Sequence, residues 1–355
     1  MTQDKTNSAL LATALLAWYD KSGRNLPWRV KGGRHPHPYH VWLSEIMLQQ
    51  TTVATVKSYF EKFIAKWPHL EDFAAASMDD VLHAWQGLGY YARARNMVKC
   101  AQVVVSDHQG KFPETAVELE TLPGIGPYTA AAVASIAFED HVTPVDGNVI
   151  RVLSRIFAVQ TPIPQSVKEI TTLAKTLTPQ TRTGDFAQAL MDLGATICTP
   201  RKPSCLICPW QSFCQGFQQR IAQDLPRKLP KSVKPTRYAV AFIISNDQDE
   251  TLFGRRPETG LLGGMMEIPT TAWRSEPWHD LHEAYACAPF DCQWQADTRK
   301  AFHSFTHFNF DITVVRGRFE SSLTIDDLPS SLKWVKLEDF TKLALPTVMK
   351  KILKS

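Results

Sequence analysis

Two acidic residues lie in surroundings that favour opposite protonation states. Glu45 lies within the mainly apolar stretch 41–48, and a carboxyl group among apolar neighbours tends to stay protonated. Asp146 precedes a predicted helix start at Gly147, where backbone amides and the helix dipole favour the ionised form. One protonated and one ionised carboxyl group suit the cleavage of a glycosidic bond. Each residue also has a simpler interpretation, with Glu45 exposed at a helix edge and Asp146 serving only as a helix cap.

Four of the seven cysteines are confined to one short stretch. Six, two and five residues separate them in turn, and they are Cys198, Cys205, Cys208 and Cys214. Four thiolates this close can ligate either a [4Fe–4S] cluster or zinc. Structural zinc sites usually combine two pairs of cysteines two residues apart, and only one such pair occurs here, so the spacing favours iron–sulfur.

A glycine-containing turn precedes another predicted helix. Gly124 and Gly126 flank one apolar residue, so the backbone can turn tightly and approach another molecule closely. Pro127 suits the first turn of the following helix, whose free N–H groups can bind a phosphate. Such a turn would anchor a nucleic-acid backbone without reading its sequence. On its own the motif fits an ordinary turn between two core helices equally well.

The chain up to about residue 220 is predicted to be all-α, because no two-residue alternation of apolar and polar residues interrupts it. Ser77 and Asp80 have the spacing of a capping box. Glu45, Gln49 and Thr52 fall at i, i+4 and i+7 of a predicted helix around 41–55 and give it one polar stripe. The other predicted helices cover 8–20, 92–107, 114–121, 127–138, 148–159, 166–177 and 185–197.

The composition changes over 221–236, where prolines and basic residues predict an exposed linker. Beyond the linker, the sequence predicts strands at 238–245 and 251–254, a helix at 275–286, and two adjoining strands or one hairpin within 302–319. The fold is therefore expected to be multidomain, with an all-α domain over 1–220 and a smaller α+β domain over 237–355. The part before residue 237 has 25 basic and 19 acidic residues, against 14 and 16 from residue 237 onward, which is compatible with a polyanionic partner.

The glycine turn, Asp146 and the cysteine spacing together resemble the helix-hairpin-helix, iron–sulfur DNA glycosylase superfamily. Within it, the stretch 42–51 resembles the adenine DNA glycosylases of MutY type. The resemblance implies a base excision repair enzyme with a [4Fe–4S] cluster that acts on double-stranded DNA. Its substrate would be adenine mispaired with 8-oxoguanine or guanine, flipped out before hydrolysis of the N-glycosidic bond. By the same resemblance, Glu45 protonates the leaving adenine and Asp146 stabilises the cationic sugar.

Tyr128 distinguishes two classes within the superfamily. The related bifunctional glycosylase-lyases have a lysine at this position and use it to form an imine with the sugar. Tyrosine cannot form an imine, so the resemblance implies a monofunctional enzyme in which Tyr128 assists beside Asn148. The alternative is a helix tyrosine that merely faces solvent or the core.

The resemblance also implies DNA contacts from the turn 86–95. Leu88 and Tyr90 would enter the duplex where the extruded base leaves the stack, and Gln50 would lie near the lesion pair. Arg93 and Arg95 either reach phosphates or lie on a solvated helix face.

The C-terminal domain resembles the MutT-like (Nudix) recognition domain of the same family through residues 260–269. The Glu-rich hydrolase helix that should follow is absent, so no pyrophosphatase activity is expected. The family reads 8-oxoguanine with a Phe-Ser-His loop, and the corresponding residues here are Phe305, Thr306 and His307. The spacing over 30–38 is also longer than in the family, and we assign it no function.

Three functions differ in what they require of these residues. A monofunctional adenine glycosylase needs Glu45 and Asp146, whereas a catalytically silent iron–sulfur protein that binds damaged DNA has no use for the pair. A bifunctional lyase is disfavoured by Tyr128. The chain has no apolar run of membrane-span length, and its polar start lacks the layout of a signal peptide. We therefore expect a cytoplasmic monomer, nucleoid-associated in a bacterium, with no membrane partner.

Overall fold

The computed structural model describes residues 2–30, 35–230, 233–257, 260–320, 329–343 and 345–355. Residues 31–34 of the longer spacing at 30–38 and residues 231–232 of the predicted linker lie outside this described part. The chain divides into two compact units, Met1–Ala76 with Asn96–Pro230, and Ser77–Arg95 with Lys231–Ser355. No helix in the described part is both long and apolar enough to cross a lipid bilayer.

The described helices and strands follow the expected order of a helical region and then a mixed region. The helices are α1 Thr2–Ser22, α2 Pro38–Leu48, α3 Val53–Lys66, α4 Leu70–Ala74, α5 Met78–Ala84, α6 Ala92–Asp107, α7 Ala116–Leu119, α8 Pro127–Phe138, α9 Gly147–Ile156, α10 Val167–Leu177, α11 Thr183–Thr196, α12 Gln215–Gln218, α13 Leu281–Tyr285 and α14 Thr347–Lys354. The strands are β1 Thr236–Ser245, β2 Thr251–Arg255, β3 Met266–Glu267, β4 Gln293–Trp294, β5 Arg299–Ser304, β6 Asn309–Arg318 and β7 Leu332–Val335.

The first unit is helical, and one of its cores packs between its N-terminal helix and the helices after residue 146. Leu15, Leu153, Phe186 and Trp210 are among its fully buried members. Helix α8 is buried along almost its whole length because its side chains are small and apolar, so α2, α7 and α11 all pack against it. This packing fixes α2 and the start of α8 against each other, which places the residues that they carry.

The predicted helix around 41–55 is wrong in its second half. Helix α2 ends at Leu48, Gln50 has a φ of 59°, and a new helix starts at Val53. Thr52 is the N-cap of α3, where its side chain accepts a hydrogen bond from the backbone N–H of Thr55. Thr52 therefore does not continue the polar stripe of α2, because the local capping contact ends one helix and begins the next.

The predicted domain boundaries differ from the division into units. Ala222 and Leu225 are buried, and the Leu225 carbonyl accepts a hydrogen bond from Arg155 (3.0 Å), so the first unit continues to residue 230. The linker was predicted from the prolines and basic residues of 221–236, but the apolar residues Ala222 and Leu225 bury the start of this segment in the first unit. The segment Ser77–Arg95 groups with the second unit, which the order of the chain did not indicate.

The second unit is built on a seven-stranded mixed sheet of order β3-β2-β1-β6-β4, with β5 paired to β6 and β7 to β2. Strands β1 and β6 are parallel, and β5 and β6 form an antiparallel hairpin, one of the two arrangements predicted for 302–319. Strand β1 is apolar on both faces because one core packs on each side of the sheet. The predicted helix over 275–286 is limited to the five residues of α13.

Candidate active site

A cavity of about 750 Å³ in the first unit collects all four predicted catalytic residues and three of the predicted DNA-binding residues. Its walls come from α2, the glycine turn, the starts of α8 and α9, and α11. The predicted residues that line it are Glu45, Gln50, Gly124, Gly126, Tyr128, Asp146 and Asn148. A volume of this size is typical of a site for a small molecule or for one extruded nucleotide.

Glu45 is a buried residue of α2, with only 5% of its surface exposed. Burial raises the pKa of its carboxyl group to about 7, although a hydrogen bond from Tyr128 Oη to Oε2 (2.8 Å) lowers it. The charge of Asp146 acts in the same direction as burial, and the charge of Arg29 opposes it. Burial excludes the alternative of an exposed Glu45 at a helix edge, and the raised pKa leaves a protonated acid available near neutral pH.

Asp146 is the N-cap of α9 and lies in the opposite kind of environment. Its Oδ1 accepts hydrogen bonds from the backbone N–H groups of Asn148 and Val149, both at 2.8 Å. Its Oδ2 accepts a third bond from Asn148 Nδ2, also at 2.8 Å. Three donors and a helix N-terminus thus converge on this carboxylate. Asp146 is thus a helix cap and also a member of the cavity.

Asn148 is held in place by contacts on both sides of its amide. Its Oδ1 accepts a hydrogen bond from Arg151 Nη2 (2.8 Å), and Arg151 Nε donates to the Cys198 carbonyl (2.7 Å). Gly194 of α11 packs so closely that a Cβ there would lie 2.6 Å from the Cβ of Asn148. The carboxylate of Asp146 is therefore oriented through Asn148 and Arg151 by the first residue of the cysteine loop.

Tyr128 is in the first turn of α8, and its side chain lines the cavity. The alternative of a tyrosine that merely faces solvent or the core does not describe this position. Burial raises the pKa of its phenol well above the usual value, and the negative charges of Glu45 and Asp146 add to this effect. The phenol therefore stays protonated and donates to Glu45. The structure thus joins Tyr128 to Glu45, and Asn148 to Asp146.

Three charged residues of this region were missed by the sequence analysis. Arg24 and Arg29 line the cavity, and both bind Asp192 of α11. The partners lie 168 and 163 positions apart, so no local pattern indicates the pairing. The sequence offers one signal for this pairing: Asp192 lies in an otherwise apolar stretch of α11. A buried carboxylate in such a stretch needs a partner.

The glycine turn has the geometry predicted for it. Gly124 has a φ of +75°, and a Cβ there would lie 2.5 Å from the Cβ of Asn96, so the position requires glycine. Gly126 is the N-cap of α8, and because glycine has no side chain, no capping group occupies the N-terminus of this helix. The first turn of α8 can therefore present N–H groups to an anion, whereas the first turn of α9 is occupied by Asp146.

The four predicted cysteine ligands line a single small cavity of about 20 Å³. Arg155 is 2% exposed and also lines it; its Nη1 donates to Cys198 Sγ (3.3 Å) and to the Thr199 carbonyl (2.8 Å). A buried guanidinium beside a thiol suits a site that becomes negative when four thiolates converge on it. The cysteines at 198, 205, 208 and 214 therefore fit a [4Fe–4S] cluster.

The predicted lesion-reading residues lie in the second unit, in the turn between β5 and β6. Thr306 and His307 are exposed, and the Phe305 ring is half-buried and stacked on Trp273 with ring centroids 6.2 Å apart. Lys234 Nζ donates to the Phe305 carbonyl (2.8 Å). The aromatic contact and the lysine fix the base of the turn and leave the hydroxyl and imidazole groups accessible.

The second unit also contains the predicted DNA-entering residues, and one of them touches the lesion-reading turn. The hydroxyl groups of Tyr90 and Thr306 are hydrogen-bonded at 2.6 Å. Tyr90 is about half exposed, whereas Leu88 is buried. Arg93 packs on the rings of Trp85 and Tyr90, so this arginine stabilises the turn. Entry of Leu88 into a duplex stays a prediction.

Comparison with known families agrees with this geometry in each part of the chain. Residues 43–180 match the HhH-GPD superfamily of base excision DNA repair proteins. Residues 198–214 match the iron–sulfur binding domain of endonuclease III, and residues 240–355 match the NUDIX domain. The cysteine loop is therefore the site of a [4Fe–4S] cluster.

Several curated relatives are similar over almost the whole chain. The adenine DNA glycosylase of Mus musculus is 34% identical over 402 residues, covering 96% of this chain and 76% of the mouse protein. The human adenine DNA glycosylase is 33% identical and covers 96% of this chain and 73% of its own length. That of Buchnera aphidicola subsp. Acyrthosiphon pisum is 31% identical and covers 98% of this chain and 97% of its own length.

Solved structures share the fold of about three fifths of the chain. A thermostable thymine-DNA glycosylase is 31% identical with a TM-score of 0.54, covering 61% of this chain and 99% of that one. A non-covalent endonuclease III–DNA complex, at 22% identity and a TM-score of 0.51, covers 61% and 98% and shows the same fold. From its sequence, fold and site, the chain belongs to the adenine DNA glycosylase family and is an enzyme that hydrolyses N-glycosyl bonds in base excision repair.

Proposed function

We propose that this enzyme acts as a monomer on double-stranded DNA and removes adenine mispaired with 8-oxoguanine or guanine. The adenine enters the cavity of the first unit after it is flipped out of the duplex, and hydrolysis leaves an abasic site. The observation that carries the proposal is the pair of unlike carboxyl groups on this one cavity. Glu45 has a pKa raised to about 7 by burial, and Asp146 accepts three hydrogen bonds.

Glu45 is the general acid of this proposal. Tyr128 donates to Oε2, so the carboxyl proton of Glu45 is carried by Oε1 and can be passed to the leaving adenine. The N-glycosidic bond then breaks, and adenine leaves as a neutral base rather than as an anion. Tyr128 keeps its own proton and orients the acid.

Asp146 is the charge stabiliser. The sugar becomes positively charged as the base leaves, and an ionised carboxylate at the same cavity lowers the energy of that state. Asn148 holds the carboxylate through Nδ2 and its backbone N–H, and Arg151 holds Asn148. A water molecule supplies the hydroxyl group that completes the hydrolysis, and its remaining proton returns to Glu45, which gave its own proton to adenine.

The proposed reaction stops at the abasic site. The position where a lyase carries its imine-forming lysine is occupied by Tyr128, and its hydroxyl is already bound to Glu45. A catalytically silent binding protein is disfavoured, because such a protein gains nothing from a buried acid with a raised pKa.

The second unit reads the base opposite adenine. Thr306 and His307 present hydrogen-bonding groups in an exposed turn, and 8-oxoguanine differs from guanine by an extra oxygen and an N7–H. Tyr90 binds the Thr306 hydroxyl, so the segment expected to enter the duplex and the lesion-reading turn act together. The family pattern has serine at the position of Thr306. Threonine adds a methyl group but keeps the hydroxyl that Tyr90 binds.

The catalytic assignment is tested with a duplex that contains a single 8-oxoguanine:adenine pair, under single-turnover conditions. The enzyme should yield strand breaks only after alkali treatment, because its product is an abasic site. Glu45→Gln should abolish the product while duplex binding persists, and Glu61→Gln, on the exposed face of α3, should behave as the parent. Strand scission without alkali would refute a monofunctional enzyme, and a parental rate for Glu45→Gln would refute the acid.

The lesion assignment is tested by comparing 8-oxoguanine:adenine with guanine:adenine duplexes. Thr306→Ala and His307→Ala should each lose about 1–3 kcal/mol of the preference for 8-oxoguanine, with the rate on a saturating lesion duplex little changed. Thr298→Ala, an exposed threonine of the same unit, is the control. An undiminished preference in both variants means that the lesion is read elsewhere.

A further inference from the structure

Asp192 on α11 is a heavily hydrogen-bonded carboxylate of the first unit that takes no part in the proposed reaction. Its side chain is completely buried and accepts hydrogen bonds from Arg29 Nη1 (2.7 Å) and Nη2 (2.9 Å). Arg24 adds two more, from Nε (2.6 Å) and from its backbone N–H (2.8 Å). The two-pronged contact with Arg29 fixes both the position and the plane of that guanidinium.

Arg29 is itself buried, with 6% of its side chain exposed, and lines the same cavity as Glu45. Burial alone would lower the pKa of Arg29, but the hydrogen bonds and charge of Asp192 raise it above its usual range. The charge of Asp192 is retained in the same way, because the bonds from Arg29 more than offset the effect of burial on its pKa. The pair is therefore a closed ion pair beside the cavity.

Three charged or titratable groups act on Glu45 from the elements around it. Tyr128 comes from α8, Asp146 from the start of α9, and Arg29 from the segment before α2. Arg29 is the only cation among these three, and its charge favours ionised Glu45. A buried guanidinium without a carboxylate partner is strongly unfavourable, so Arg29 released from Asp192 would be drawn to another acceptor that lines the cavity. Glu45 is such an acceptor, and an ion pair with Arg29 would remove its proton.

We propose that Asp192 is a positioning residue that keeps Arg29 in an ion pair with itself rather than with Glu45, and so keeps Glu45 in its protonated form. The inference rests on the proposed role of Glu45 as the acid. The ion pair between Asp192 and Arg29 thus prevents a competing ion pair between Arg29 and Glu45. Asp192 is not among the residues that line the cavity, so its effect on Glu45 is transmitted through the guanidinium of Arg29.

The test is the pH dependence of single-turnover excision on a saturating duplex. Excision needs protonated Glu45, so the rate falls as the pH rises through the pKa of that group, near 7 in the parent enzyme. Asp192→Asn should move the midpoint of this fall down by at least about one pH unit. In the double variant Asp192→Asn with Arg29→Gln, the midpoint should return to the parental value or above, even if the rate stays low. A residue with a purely structural role would lower the rate equally at every pH.

A second variant keeps the inference testable if Asp192→Asn does not fold. Arg29→Gln leaves Asp192 paired with Arg24, and its midpoint should rise by less than about half a pH unit, because Arg29 is already engaged. A rise of more than about one unit would show that Arg29 is the main partner of Glu45 and would overturn the inference. An unshifted midpoint in folded Asp192→Asn would overturn it too. A parental rate in Glu45→Gln would instead remove the acid assignment itself, so the two failures are distinguishable.

Discussion

Glu45 and Asp146 lie on the same cavity, but the structure surrounds them in opposite ways. Glu45 is in the middle of α2, where neighbouring residues of the helix are also buried, and it receives one hydrogen bond from Tyr128. Asp146 is at the first position before α9 and receives three hydrogen bonds, two of them from backbone N–H groups. The difference shows how one functional group serves as an acid at one position and as a fixed negative charge at the other.

Asp146→Asn is expected to have the largest effect of the changes that test this comparison. Asparagine can still cap α9, because its side-chain oxygen accepts hydrogen bonds, but it carries no charge for the sugar. Single-turnover excision should fall by about 10²–10³-fold or more, with duplex binding retained. Asp280→Asn at the cap of α13 makes the same change where no chemistry occurs, and its excision rate should equal that of the parent. A loss of less than tenfold in Asp146→Asn would mean that its role is capping alone.

Arg151→Gln should have an intermediate effect, because it removes the support of Asn148 and leaves both carboxyl groups in place. The excision rate should fall by about tenfold, a typical loss when one orienting hydrogen bond is removed. Arg151 also binds the Cys198 carbonyl, so iron content and visible absorbance must be measured in the same preparation. Lys175→Gln on the exposed face of α10 is the control. Loss of iron in parallel with activity would assign the residue to the cluster loop instead of to Asp146.

The sequence predicted the local features of this site well. Helices α6 and α8 have the predicted bounds, and Asp146 caps α9 as its position before Gly147 indicated. These features depend on residues within a few positions of one another, such as a proline in the first turn or a side chain that binds the next amides. The burial of Glu45 could be predicted for the same reason, since its neighbours along α2 are apolar.

The features that could not be predicted depend on distant or competing contacts. The pairing of Arg29 with Asp192 spans 163 positions and has no local signal. The end of α2 at Leu48 depends on the capping preference of Thr52, which competes with the helical spacing of Glu45, Gln49 and Thr52. The grouping of Ser77–Arg95 with the second unit was equally hidden, because it follows from contacts such as that between Tyr90 and Thr306.

A different kind of effect, on stability, follows from the raised pKa of Glu45. Between its usual value of 4.5 and about 7, the folded chain keeps a proton that the unfolded chain has released. The free energy of unfolding therefore falls as the pH rises through this window, and the loss is complete above it. Glu45→Gln has no such group, so its stability relative to the parent should increase from about pH 5 to about pH 7 and then level off. Urea unfolding midpoints measure this, and Glu61→Gln should show a difference that does not change with pH.

The central claim is that Glu45 is a protonated acid near neutral pH while Asp146 is ionised. The most direct measurement is a ¹³C NMR titration of the protein with carboxyl-labelled glutamate, compared with the same titration of Glu45→Gln. The account predicts one glutamate resonance, missing from the variant, that titrates with a pKa of about 7. It also predicts that Asp192→Asn lowers this value. If the resonance lost in Glu45→Gln titrates near the usual 4.5, the account of the acid is contradicted.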